Sequence, residues 1–226
     1  AATLLLSYGF CMVMDRRKRK DCQGRKGQGS WDMRYLAYMA CALLPLLLYM
    51  LSNSMAVEEH AGATGRSLGT ILAENPTFPI RFLLKSFAGV LVGGEERFML
   101  NGLLSNRMCY ALGLFVVCGY LMALWINFRF RLYERTIMPL MLLAGGGMNH
   151  VIIFISRYIF EKESYALSSR YALQFQVGIL GIILTFALAW QMKERTNRGY
   201  RWGMALFCLA ILMGNGYTTY REIQKA

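Results

Sequence analysis

The sequence is poor in charge and in histidine. Only 17% of its 226 residues are charged, whereas about a quarter of the residues in an ordinary soluble domain are charged. It contains two histidines, so a metal site built from several histidine ligands is excluded. Asp, Glu, Lys and Arg are also missing from long apolar runs, which excludes a soluble enzyme. These uncharged runs are Tyr35–Val57, Met108–Phe128, Thr136–Ser156, Tyr171–Met192 and Trp202–Tyr220.

The length of the uncharged runs predicts an all-α fold, a polytopic bundle of transmembrane helices. A helix needs roughly 20 residues to cross about 30 Å of hydrocarbon. Residues 1–14 are too few for a complete crossing, and we interpret them as the end of a spanning helix that begins before Ala1. The chain, residues 1–226, is then one transmembrane domain and the C-terminal part of a longer protein. Six spans are predicted: residues 1–14, 35–52, 108–127, 137–156, 171–192 and 202–217.

The distribution of basic residues predicts the orientation of the spans. The net charge is +12, and most of it is concentrated in the connections Asp15–Arg34, Arg129–Arg135 and Lys193–Arg201. These three connections hold fifteen Lys or Arg and five Asp or Glu, while the connections between them are nearly neutral. Such alternation is typical of positive-inside sorting, so the basic loops are predicted to be cytoplasmic. The charge indicates contact with membrane lipid rather than with nucleic acid.

The longest connection, residues 53–107, is predicted to lie on the outer side of the membrane. Connections of this length are uncommon and are often functional or disordered. Within it, Phe78–Val92 has the apolar spacing of a helix, with Arg81 and Lys85 one turn apart on one side. The pattern predicts either a helix lying in the membrane interface or a re-entrant helix. Prolines near its start and two glycines after its end would fix its boundaries.

No cofactor is predicted for this chain. Glu58, Glu59 and His60 in the outer loop offer two carboxylates and an imidazole, so a divalent-ion site and a solvated polar loop are the two interpretations of this stretch. Five of the six cysteines fall inside the predicted spans, and none forms a C-x-x-C pair. We interpret the cysteines as small apolar residues of the bundle.

Polar residues interrupt the predicted span 137–156 near its middle. Three glycines precede Asn149 and His150 there, and polar side chains at this depth usually face the interior of a bundle or a wet cavity. Glycines allow neighbouring helices to pack closely. Two interpretations of Asn149 and His150 are open: a structural hydrogen bond between helices, and direct contact with a substrate.

Two Arg-Tyr pairs flank the outer connection between the spans 137–156 and 171–192. They are Arg157-Tyr158 and Arg170-Tyr171. A guanidinium group matches phosphate oxygens bidentately, and an adjacent tyrosine can donate a hydrogen bond or stack on a sugar ring. The alternative is that the arginines snorkel to the headgroups and the tyrosines belong to an aromatic belt.

The block Ser168-Ser169-Arg170-Tyr171, followed by a long apolar helix, resembles the late part of bacterial membrane glycosyltransferases and polysaccharide polymerases of the C-type fold, which use polyprenyl-phosphate sugars. The outer segment around Phe82–Phe87 and the terminal segment Tyr220–Ala226 are similar to bacterial members as well. The resemblance implies a site at the outer face of a bacterial inner membrane. The usual acidic catalytic residue of that family lies in its first outer loop. We expect this chain to begin after that loop, in which case the family's usual base is missing here.

The resemblance implies a hypothesis of glycosyl transfer from a polyprenyl-phosphate-linked sugar. Arg157 and Arg170 would neutralise the leaving phosphate, and Glu95 or Glu96 would accept the proton of the acceptor hydroxyl as the catalytic base. A solvated pair of loop residues is the alternative interpretation of Glu95 and Glu96. The residues predicted to bind the substrate are Arg157, Tyr158, Arg170, Tyr171, Arg81, Lys85, Asn149 and His150. A transporter or flippase, and a non-catalytic subunit that packs against a membrane protein partner, are the alternative functions.

Overall fold

The computed structural model describes residues 8–14, 36–41, 43–44, 47–48, 51, 64, 66–92, 105–168, 171–192 and 198–223. The chain divides into two compact units, Ala1–His60 and Ala61–Ala226. In the first unit, residues 8–14 and 36–41 are helical, as are the other described residues before 52. The rings of Tyr8 and Tyr38 in this unit pack with their centroids 5.3 Å apart.

The second unit is helical throughout its regular elements, and no strand occurs among the described residues, which confirms the predicted all-α class. Three short 3-10 turns connect the helices: Leu132–Glu134, Tyr158–Phe160 and Glu163–Leu167. The helices are α1 (Leu68–Glu74), α2 (Phe78–Val92), α3 (Asn106–Arg129), α4 (Met138–Arg157), α5 (Ala172–Gln191) and α6 (Arg198–Ile223).

Three segments in the described part of the chain are long and apolar enough to cross a membrane. They are Asn106–Arg129, Met138–Phe160 and Gln174–Gln191, with mean hydropathies of 2.1, 1.7 and 1.4. They confirm that the chain contains transmembrane-type helices, and they coincide with three of the six predicted spans. The predicted total of six spans is not confirmed.

Helices α4 and α5 approach each other backbone to backbone. A Cβ atom added at Gly146 on α4 would collide with Gly178 on α5, and one added at Gly181 would lie 2.7 Å from the Leu143 nitrogen. Small residues permit this close approach, which is a common way for membrane helices to associate. Gly146, one of the three glycines that interrupt α4 in the sequence, therefore serves packing, whereas a Cβ atom at Gly147 would meet nothing within 4 Å.

Helix α2 is packed into the bundle rather than laid on its surface. Its bounds, Phe78–Val92, agree with the sequence prediction. It contacts α3, α4, α5, α6 and the turn Glu163–Leu167, and its fifteen residues span about 22 Å, less than the hydrocarbon layer. A Cβ at Gly113 of α3 would collide with the carbonyl of Leu84, and one at Gly214 of α6 would lie 2.6 Å from the Leu91 oxygen. The two predicted geometries, interfacial and re-entrant, describe the position of this helix relative to a membrane, and both stay predictions.

Candidate functional site

The predicted site residues that the structure describes lie mainly at one end of the bundle. We call this end the junction end, because it contains the junction between α4 and α5, residues 158–171. The N-terminal half of α2 reaches the same end, since the Phe82 ring packs edge-on against Phe154, with the centroids 5.4 Å apart. Phe154 lies three residues before Arg157 on α4. The cations of α2 and of the junction are thus brought to one end of the bundle.

Arg157 is held by aromatic side chains at the end of α4. Its Nε donates a hydrogen bond of 2.7 Å to the hydroxyl of Tyr171. Its guanidinium carbon lies 5.6 Å from the ring centroid of Phe160 and 5.9 Å from that of Tyr171. Among the described residues, no carboxylate pairs with Arg157. Its two terminal nitrogens therefore lack an internal counter-ion within the part of the chain that the structure describes.

At the junction, the arginine of the first Arg-Tyr dipeptide is hydrogen-bonded to the tyrosine of the second. Arg157 comes from the first dipeptide and Tyr171 from the second, and they meet because α4 and α5 are antiparallel neighbours joined by a short connection. Tyr158 is half-buried and packs against the apolar core. Arg170 lies outside the described residues.

A second group of polar side chains surrounds a carboxylate. We call it the Glu163 cluster; it consists of Arg81, Lys85, Tyr110 and Glu163. Lys85 Nζ lies 2.9 Å from Glu163 Oε2, and the Tyr110 hydroxyl donates a 2.7 Å hydrogen bond to the same oxygen. Arg81 Nε lies 3.2 Å from Glu163 Oε1, but the geometry is not that of a hydrogen bond. The predicted cations of α2 are thus both engaged by a carboxylate of the junction.

Local structure explains how the Glu163 cluster forms. Arg81 and Lys85 share one face of α2 because they are one turn apart. Tyr110 lies in the first turns of α3, and Glu163 is the first residue of the turn Glu163–Leu167. The chain reaches that turn through Glu161, whose left-handed conformation, with φ at 51°, ends the preceding 3-10 turn.

Further polar contacts fix the surroundings of the cluster. Arg81 Nη2 donates a 2.9 Å hydrogen bond to Asn75 Oδ1, just before α2. Glu161 accepts from Arg66, at 3.3 Å, and Arg66 also pairs with Glu74 at the end of α1. These contacts, together with a backbone hydrogen bond of 3.0 Å from Thr64 to the Ile159 carbonyl, attach α1 to the junction.

The environment of Glu163 favours its ionised form. Burial by itself would raise the pKa of the carboxyl, but the hydrogen bonds from Lys85 and Tyr110 and the charges of Lys85 and Arg81 outweigh burial and lower the pKa below its ordinary value. A carboxylate with a lowered pKa is a weak base, so Glu163 is poorly suited to accept a proton in catalysis.

The polar residues of the predicted span 137–156 form hydrogen bonds between helices. Ser86 Oγ and His150 Nδ1 are 2.6 Å apart, which links α2 to α4. The imidazole is fully buried between the rings of Phe87 and Phe175, at centroid distances of 3.9 and 4.0 Å. Asn149 Nδ2 donates to the Gln174 carbonyl at 3.1 Å, linking α4 to α5. The described contacts of Asn149 and His150 are therefore hydrogen bonds between helices, which is the structural interpretation of the two given above.

Several predicted residues lie outside the described part of the chain. They are the proposed bases Glu95 and Glu96, and the metal candidates Glu58, Glu59 and His60. Within the described residues, no group of three or more His, Cys, Asp or Glu could hold a metal ion.

Sequence reasoning missed the roles of Glu163, Tyr110 and Ser86. Glu163 lies in the outer connection that the sequence singled out, but its partners are far away along the chain: Tyr110, for instance, is 53 residues distant. The available signal was Lys85 in the middle of a mostly apolar helix that contains no acidic residue, because a buried ammonium group requires an anion.

Comparison of the chain with protein-family models, curated proteins and solved structures finds no match. A function for this chain therefore has to rest on the geometry of its own residues.

Proposed function

We propose that the protein is a glycosyltransferase-like membrane protein that binds a polyprenyl-phosphate-linked sugar at its junction end. The observation that carries the proposal is the state of Arg157. Its guanidinium is held between Phe160 and Tyr171 and hydrogen-bonded at Nε, while no described carboxylate neutralises it. A fixed, half-buried cation that has no carboxylate partner among the described residues is suited to an external anion.

The chemistry of the guanidinium favours phosphate as that anion. Tyr171 occupies Nε, and no described residue accepts a hydrogen bond from the two terminal nitrogens. A phosphate group accepts two parallel hydrogen bonds from such a fork. The aromatic neighbours restrict the orientation of the guanidinium plane, which reduces the entropy lost on binding. The apolar spans beside the site suit a ligand whose tail stays in the bilayer.

In the proposed reaction, the bond between the anomeric carbon and the phosphate oxygen breaks, and its electron pair goes to the phosphate. The acceptor hydroxyl bonds to the anomeric carbon, and its proton goes to a carboxylate, for which Glu95 and Glu96 stay the candidates. Arg157 and Arg170 stabilise the charge that develops on the phosphate, since cations aimed at developing charge lower the barrier. Glu163 is poorly suited to the base role, because its cationic neighbours Lys85 and Arg81 help to lower the pKa of its carboxyl group.

The proposed membrane is a bacterial inner membrane, with the junction end on its outer side. Support comes from the segment Arg129–Arg135, which connects α3 and α4 at the other end of these helices. It is one of the three basic connections, and positive-inside sorting would keep it cytoplasmic.

The decisive experiment measures binding of a polyprenyl monophosphate to the full chain in phosphatidylcholine nanodiscs. Arg157→Ala should weaken binding roughly tenfold or more, because a charge-assisted contact is worth about 1.5–3 kcal/mol. The matched control is Arg131→Ala, which removes a cation that is 71% exposed in its side chain at the other end of the bundle. Equal affinities for the wild type and Arg157→Ala would refute the proposal.

A further inference from the structure

We propose that Glu163 is a resident counter-ion of a cationic site formed by Arg81 and Lys85, and that a phosphate monoester replaces its carboxylate on binding. The identity of the incoming anion rests on the function proposed above. The counter-ion role itself rests on the contacts of the Glu163 cluster.

Lys85 cannot be left without an anion. Only 5% of the residue is exposed, and its ammonium group has Glu163 at 2.9 Å and the Tyr110 ring at 5.5 Å. Transfer of an unpaired ammonium to such a site is strongly unfavourable. The ion pair is therefore exchanged for another anion rather than simply opened.

Glu163 is the partner that can withdraw. Lys85 lies in the middle of α2, which four other helices enclose, whereas Glu163 begins a turn of five residues and its side chain is 17% exposed. Ala166 and Leu167 anchor that turn in the core. Rotation of the Glu163 side chain therefore removes the carboxylate while the backbone stays in position.

Arg81 provides the entry side of the site. Its side chain is 39% exposed, far more than that of Lys85, so an anion meets Arg81 first. Its buried Nε lacks a hydrogen bond although Glu163 Oε1 is 3.2 Å away. A better-shaped acceptor would satisfy this donor, and Tyr110 can transfer its hydrogen bond to the same ligand.

Charge matching selects a phosphate monoester. Two cations face one carboxylate, which leaves an excess of one positive charge. A phosphate monoester carries about −1.5 to −2 at neutral pH, whereas a carboxylate carries only −1. A monoester is also what remains on the lipid when the sugar has left, so the site matches the charge that develops during transfer better than it matches the donor.

The test compares Glu163→Gln with the wild type in phosphatidylcholine nanodiscs that contain a polyprenyl monophosphate. Glu163→Gln should melt at a lower temperature without ligand, because Lys85 loses its anion, and should bind the monophosphate roughly tenfold more tightly, because no internal pair has to be broken. Glu163→Asp keeps the negative charge, so its gain in affinity for the monophosphate should be smaller than that of Glu163→Gln.

The matched control is Glu161→Gln. Glu161 lies two residues away in the same junction, and its described ion-pair partner is Arg66, not Arg81 or Lys85. The affinity of Glu161→Gln for the monophosphate should equal that of the wild type. Unchanged or weaker binding by Glu163→Gln would overturn the counter-ion role, because a merely structural glutamate stabilises the site for its ligand. An equal gain for phosphatidylglycerol, a diester, would overturn the choice of a monoester.

Failure of the proposed function is distinguishable from failure of this inference. If the wild type does not bind the polyprenyl monophosphate, the proposed function is wrong, and inorganic phosphate then serves as the probe. A gain in phosphate binding by Glu163→Gln over the wild type would support the counter-ion role with a free anion as its ligand. No gain would overturn it.

Discussion

The two ends of the helical bundle use cations in opposite ways. At the junction end, Lys85 is buried and ion-paired, and Arg157 is fixed by aromatic rings. At the other end, Arg131 is 71% exposed in its side chain, and its contact with Glu134 is long, at 3.7 Å. Buried, oriented cations are expensive to maintain and are typical of binding sites, whereas exposed ones contribute little to stability.

Aromatic side chains follow the same division. Tyr171 and Tyr110 at the junction end donate or accept hydrogen bonds with charged groups. At the other end, the Trp125 ring packs on Tyr200 at 5.3 Å, and Arg201 lies over the Trp190 ring at 5.6 Å. Aromatic rings beside a cation are typical of residues at a membrane interface. The net charge of +12 therefore includes two kinds of basic residue: those held in polar contacts at the junction end, and those at the other end of the bundle.

The largest expected difference between the two ends is in stability. Lys85→Met should lower the free energy of unfolding by about 2–3 kcal/mol, because Glu163 then loses its main partner in a partly buried site. Arg131→Met at the other end should change it by less than about 0.5 kcal/mol. Unfolding of both variants by SDS titration in mixed micelles measures the two values. Equal effects would mean that the Glu163 cluster is no more than a surface ion pair.

Acidification should have a smaller effect on stability than the substitution of Lys85. The pKa of Glu163 is lowered in the folded protein, so its stabilising contribution is complete above the ordinary carboxyl pKa and is lost as the pH falls through the folded value. The groups that face it are Arg81 and Lys85 from α2 and Tyr110 from α3. The melting temperature of the wild type should therefore fall more steeply below the ordinary carboxyl range than that of Glu163→Gln. Parallel pH profiles would contradict the ion pair.

Sequence patterns predicted individual helices well. Helix α2 has the predicted bounds because Asn75, Pro76 and Pro79 favour its start and glycines follow its end. Three spans were recognisable because long uncharged apolar runs have few other uses. These are local properties, and each can be inferred from a window of about 20 residues.

Contacts between helices were less accessible to sequence reasoning. The face shared by Arg81 and Lys85 could be predicted from their spacing, but their common partner Glu163 could not, because no local pattern encodes a contact across the bundle. The same holds for Arg157 and Tyr171. The sequence presents each of them next to a different residue, and only the antiparallel packing of α4 and α5 brings them together.

The smallest expected effect tests whether the end of the bundle opposite the junction end takes any part in ligand binding. Arg201→Ala removes a cation that lies over Trp190, and an exposed contact of this kind contributes about 0.5–1 kcal/mol. Arg201→Ala should therefore lower the free energy of unfolding by about 0.5–1 kcal/mol. The change in that free energy for Arg131→Ala should be close to zero. Affinity for a polyprenyl monophosphate should be the same in both variants as in the wild type, because a phosphate bound at the junction end is separated from Arg201 by the length of the spans. Weaker binding by Arg201→Ala would show that both ends contact the ligand, and the division between the oriented cations of the junction end and the cations of the opposite end would then be wrong.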